Sequence, residues 1–166
     1  MTLIEIDKPR YRQRLNRIIF ACIAILVVVS LGASSVMIHF WGSDSNFILN
    51  LAGVVLAGFV VLQLLRSLRN HPYMHEVMYV WDLKQQLNLI NRKYRPLLAA
   101  AKKGDERAMQ VLHFSYVGSE QLWQLDDNTI TIDELKVQMQ TLQALADEQQ
   151  VTLDSSVFDV AWLTDY

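Results

Sequence analysis

The sequence predicts an all-α membrane protein, a two-helix transmembrane hairpin followed by a small cytoplasmic helical bundle. Three observations predict it. Two long apolar segments, 18–41 and 47–65, contain no Asp, Glu, Lys or Arg, and only Gly42-Ser43-Asp44-Ser45-Asn46 separates them. Basic residues flank the pair on both outer sides. Beyond them, residues 66–166 show the apolar spacing of amphipathic helices.

The first segment reaches about 36 Å at the helical rise, enough to cross the hydrocarbon core with some tilt. Its Ile, Leu, Val and Phe residues favour insertion by about 4–7 kcal/mol. The second segment reaches about 28 Å and is equally rich in them. Core helices of soluble proteins keep a polar face, whereas these segments are apolar all round. Gly32-Ala33-Ser34-Ser35 has the small residues of a signal-peptide cleavage region. The apolar run nevertheless continues to Phe40 and Trp41, and the second segment follows at once, so two retained spans are expected.

Lys8, Arg10, Arg12, Arg14 and Arg17 precede the first span, Arg66 and Arg69 follow the second, and the linker holds only Asp44. The positive-inside rule then puts both termini in the cytoplasm and 42–46 in an extracytoplasmic turn, with Trp41 and His39 near the outer headgroups. Residues 1–17 are expected to form a basic arm against anionic headgroups, which makes the lipid bilayer the first partner. Five charges with no base-stacking platform beside them do not make a nucleic-acid arm.

Small residues show how the spans can meet. Ser30 and Ser34 lie four apart on one, Gly53 and Ala57 four apart on the other, and small side chains let helix backbones approach. These faces suit a packed hairpin, or equally the pairing of two chains. No charged residue lies at membrane depth, and a transporter or channel core would need one.

Residues 66–166 are long enough for one small helical domain. His71-Pro72 marks a break before a new helix. Val80, Leu83, Leu87, Ile90, Tyr94 and Leu97 then step by three and four, a seam that serves either the domain's own core or a partner chain in a homo-oligomer. Pro96 should kink or restart that helix. Gly104-Asp105 reads as a turn and N-cap before the face Ala108, Val111, Leu112 and Tyr116. The stretch Ala101, Gly104, Ala108, Leu112, Tyr116 and Gly118 resembles one unit of the tetratricopeptide-related repeats, and a single unit implies a local helix-turn-helix only. Thr131-Ile132-Asp133-Glu134 is a capping box, with Leu135, Met139, Leu142 and Ala146 as the core face behind it. Val157, Phe158, Ala161 and Trp162 close the chain as a short amphipathic turn.

No catalytic, cofactor or metal constellation emerges, and an enzyme is not expected. His71, His75 and Glu76 are spaced like a helical metal pair, but the proline after His71 disfavours helical geometry there and no third ligand follows. A calcium loop counted back from Glu134 puts Trp123 and Leu125 where carboxylates are required. The single cysteine, Cys22, lies inside the first span and supports no disulfide framework. Charge is divided: residues 67–108 have eight Lys or Arg against four acids, while 109–166 have Lys136 against ten. An acidic distal face excludes nucleic acid and suits a basic protein partner.

Ile6-Asp7-Lys8, Arg10-Tyr11-Arg12, Arg14-Leu15-Asn16-Arg17 and the apolar run after them resemble a family of small two-span proteobacterial inner-membrane proteins with no assigned function. The resemblance implies a multi-pass protein of the bacterial inner (plasma) membrane and supplies no site residue. The expected role is a membrane-tethered helical interaction or scaffold module, with an accessory subunit docking through its hairpin as the alternative and an enzyme third.

Overall fold

The structure, a computed structural model, describes residues 2–43, 45–128 and 132–166. Among these residues all regular structure is helical, and two of the helices are long and apolar enough to cross a membrane. Contacts divide the chain into one compact unit of Asp7–Met78 and another of Met1–Ile6 with Tyr79–Tyr166. These boundaries differ from the expected divisions after residues 17 and 65, for reasons that lie at both ends of the first unit.

The first helix, α1, spans Lys8–Trp41. Asp7 caps it by accepting from the Arg10 amide at 2.9 Å, and Pro9 sits in the first turn where its missing N–H costs nothing. Most of the expected basic arm is therefore the first turns of the same helix that carries the apolar run. After the turn at 42–46, where Asn46 Oδ1 accepts from the Ser43 amide, α2 spans Phe47–Leu68 and takes in Arg66. The linker's Asp44 lies outside the described residues. A 3-10 turn at Pro72–Met74 follows, N-capped by the His71 imidazole, whose Nδ1 accepts from the Tyr73 amide at 3.1 Å.

Helix α3 spans His75–Arg92, α4 Tyr94–Ala101, α5 Glu106–Leu125 and α6 Ile132–Glu148. Pro96 accounts for the interruption between α3 and α4, since it cannot donate to the carbonyl four residues back and its ring crowds that group. The capping-box residue Thr131 lies outside the described residues. In the second unit α5 packs on both α4 and α6, and Leu83, Leu87, Ile90, Leu97, Leu112, Phe114 and Leu142 form its core. A Cβ on Gly118 would sit 3.1 Å from Leu83 Cδ1 and 3.3 Å from Leu87 Cδ2, so the glycine leaves room on α5 for these two side chains of α3.

Both ends of the chain join this unit. The Ile4 amide donates to Tyr79 Oη at 3.0 Å, Gln121 Nε2 donates to the Ile4 carbonyl, and Leu3 packs against the core. At the C-terminus, 3-10 turns at Ser155–Val157 and Val160–Asp165 replace the expected amphipathic helical turn. Phe158 and Leu163 are buried while Val157 and Ala161 are exposed, because a 3-10 path does not keep the α-helical spacing. Phe158 stacks on Phe114 with ring centroids 4.2 Å apart.

The turn into α5 joins two of these features. Gly104 has φ +90, a conformation that favours glycine, and Asp105 caps α5 by accepting from the Ala108 amide at 3.1 Å. The second carboxylate oxygen of Asp105 accepts from Tyr166 Oη at 2.8 Å. Burial pushes the Tyr166 hydroxyl up, its bond to Asp105 adds to this, and together they raise it to about 12. Asp105→Ala is expected to destabilise the protein by about 1–2 kcal/mol through the lost cap. It should also lower the Tyr166 titration, which ultraviolet absorbance at high pH reads; an unmoved phenol would show that the side chain does not rest on Asp105.

Candidate functional site

A groove of about 460 Å³ opens between α4, α5 and α6, lined by Tyr94, Leu98, Tyr116, Val137, Thr141 and Leu145. Each helix contributes a ridge because its core-facing residues leave the neighbouring positions at the groove edge: Leu142 is buried and Val137 is 61% exposed. The Tyr94 and Tyr116 hydroxyls are 3.2 Å apart. Burial pushes the Tyr116 hydroxyl far above its ordinary range, helped by Tyr94, so Tyr116 stays neutral at physiological pH. Lys102 and Glu148 also border the groove. An apolar channel with a hydroxyl pair and opposite charges at its edge can hold an amphipathic side-chain ridge.

The seam residues proposed for a partner chain are turned inward. Leu83 and Ile90 are completely buried, Leu87 nearly so, all three in the unit's own core, and Val80 is buried as well. Tyr94 is half-buried against the same core. In the structure this face packs within the unit's own core.

The four small residues come together within the α1–α2 pair. Ser34, Gly53 and Ala57 are buried, and Ser34 Oγ donates to the Asn50 carbonyl at 3.5 Å. A Cβ on Gly53 would lie 2.1 Å from Ser34 Oγ and 2.9 Å from the Ser30 carbonyl oxygen. The helices therefore touch backbone to backbone at this point.

The basic residues divide into two groups. Arg14 Nη1 donates to Glu76 Oε2 and to the carbonyls of Tyr73 at 3.3 Å and Pro72 at 3.4 Å, and its guanidinium lies 4.9 Å from the centre of the Tyr73 ring. Arg10 Nε is 3.1 Å from Glu76 Oε1. Burial pushes the Glu76 carboxyl up, but its own backbone amide and the two arginines outweigh this and hold it below the usual glutamate range. Arg17 and Arg66 are exposed, as are Arg12 and Arg69, and Lys8 is half-buried. Two of the residues expected to face headgroups thus also bind the Glu76 carboxylate.

Sequence reasoning missed Glu76 in this role. One signal was present, since Glu76 is the only acid between Asp44 and Asp82, in a stretch bounded by basic residues. With His71 capping a turn and Glu76 bound by arginines, the His71, His75 and Glu76 spacing does not converge. No group of three His, Cys, Asp or Glu could hold a metal among the described residues. Gln110 was missed as well: its side chain donates to the Thr152 carbonyl at 2.7 Å and accepts from the Asp154 amide at 2.8 Å, tying the C-terminal segment to α5.

Fold and site together define an all-helical protein with two apolar helices long enough to cross a membrane and a second helical unit that carries a groove. The chain belongs to the family described as Protein of unknown function (DUF3087), whose model matches residues 1–163. No curated protein matches the chain, and no solved structure matches it.

Proposed function

We propose that the protein is a membrane-tethered helical interaction module of the bacterial inner membrane. In this reading α1 and α2 cross the bilayer as a hairpin, both termini stay in the cytoplasm, and the remaining helices form a bundle whose groove holds a basic amphipathic helix of a partner protein. The carrying observation is the uncovered apolar surface of α1 and α2: Phe20 is 73%, Val28 70%, Ile48 76% and Val55 65% exposed. A patch of that extent needs lipid or a partner around it. Orientation rests on the basic residues at the outer ends of both helices. The choice of a basic partner rests on the acidic excess of residues 109–166, to which α6 and the C-terminal segment belong.

An accessory subunit docking through the small-residue face is the weaker reading. Ser34, Gly53 and Ala57 are already buried against the neighbouring helix, which leaves no room for another on that face.

A photo-crosslinking amino acid at Val137, at the groove edge, tests the module in native membranes. The expected adduct joins Val137 to a basic amphipathic segment of one protein, and Leu145→Glu should reduce its yield about tenfold, the cost of a charge facing an apolar ridge. Adducts to lipid alone, or an adduct insensitive to Leu145→Glu, would reject the groove as the docking site.

A further inference from the structure

A second groove, of about 380 Å³, lies on the unit Asp7–Met78. Ala21, Cys22 and Ile25 of α1 and Leu64, Leu65 and Leu68 of α2 form its apolar wall. Ala21 and Cys22 are small where large aliphatic residues otherwise dominate α1, and the recess lies beside them. Arg17, one turn before Ala21, lines the groove together with His71 and Tyr73.

Chemistry at this polar end is one-sided. Arg10 and Arg14 are held by Glu76, whereas Arg17 makes no ion pair among the described residues. His71 Nδ1 already accepts from the Tyr73 amide, which leaves Nε2 as the ring nitrogen that can donate to a ligand. Glu76, five residues after His71, is occupied by arginines and is not part of the groove lining. The polar end thus presents donors and positive charge to an anion, and an arginine fork fits a phosphate.

We propose that this groove binds one molecule of an anionic phospholipid, with its phosphate at Arg17 and His71 and an acyl chain along Ala21, Cys22 and Leu65. An anionic headgroup is favoured over a zwitterionic one because a headgroup ammonium would meet Arg17 with no carboxylate beside it. The proposal rests on the membrane reading, since it needs α1 and α2 in contact with lipid. It resembles the basic inter-helix pockets that select anionic lipids at membrane surfaces.

Cys22, the chain's only cysteine, reports occupancy without any substitution. The full-length protein in dodecyl maltoside micelles is treated with N-ethylmaleimide, and alkylation is followed by mass. Dioleoylphosphatidylglycerol at ten times its dissociation constant should slow the reaction about tenfold by mass action, while dioleoylphosphatidylcholine should leave it nearly unchanged. Arg17→Gln should bring the two lipids to the same rate, and Arg17→Lys should restore most of the difference. Equal protection by both lipids, or full protection in Arg17→Gln, would overturn the proposal. Carbonate washing of native membranes separates the two failures. Protein washed off the membrane would reject the membrane reading itself, whereas protein retained without selective protection would reject only the lipid site.

Discussion

Gly53→Leu is expected to open the α1–α2 pair and to lower its stability by about 3 kcal/mol or more. The first added carbon already cannot be placed, since it would lie 2.1 Å from Ser34 Oγ, 2.9 Å from the Ser30 carbonyl oxygen and 3.1 Å from the Ser34 nitrogen. The hydroxyl can rotate away. The two backbone atoms cannot, so the helices must separate, and the buried contacts of Ser34 and Ala57 are lost with them. Gly53→Ala should show the same effect at smaller size. Gly32 and Gly58 supply the control, because a Cβ at either meets nothing within 4 Å. Alanine there should be neutral or slightly stabilising, in line with the helix penalty of glycine. Titration of the reconstituted protein with dodecyl sulfate, followed by proteolysis of the opened state, gives the comparison. A midpoint for Gly53→Leu equal to that of Gly58→Ala would mean that the helices do not meet at Gly53.

What could be read from the sequence depended on the range of the interaction. The apolar runs are local, and a run with no charged residue leaves helix as the one backbone arrangement that satisfies its own hydrogen bonds in lipid. Ser30, Ser34, Gly53 and Ala57 could be picked out because the turn at 42–46 is too short to let two helices do anything but fold against each other. The spacing of Val80, Leu83, Leu87 and Ile90 showed an inward face but not whose core it belonged to, since periodicity is the same for a self-packed helix and a zipped pair. Gly118, which admits Leu83 and Leu87 to the chain's own core, carries no periodic signal of its own. The pinning of Ile4 by Tyr79 and Gln121 was invisible for the same reason, being made of single hydrogen bonds between distant residues. In the groove, Tyr94 and Tyr116 each read as core positions, and only the structure shows their hydroxyls together. His71 was legible as a break but not as a cap, because its proline pointed to a turn while its imidazole suggested metal.

Glu76→Ala is expected to cost about 2–3 kcal/mol, below the range for fully buried ion pairs because the partners keep some contact with water. The side chains of Arg14 and Glu76 are 16% and 11% exposed. Removing the carboxylate leaves the Arg14 guanidinium with two carbonyls and the Tyr73 ring but no countercharge, and it leaves Arg10 without its partner at 3.1 Å. The converse change, Arg14→Ala, should cost less, because Arg10 still neutralises Glu76. Acid titration separates the ion pair from mere loss of packing. Burial pushes the Glu76 carboxyl up, the backbone amide and the arginines pull it down further, and the net value is lowered. On acidification the unfolded chain therefore takes up this proton before the folded one does. The pair contributes fully above the unfolded glutamate range, and its contribution disappears as pH falls through the lower, folded value. Unfolding midpoints of the native protein and Glu76→Ala should differ at neutral pH and draw together in acid. A gap of constant size at every pH would show that Glu76 stabilises by packing, and that the arginines at the start of α1 are not held by its charge.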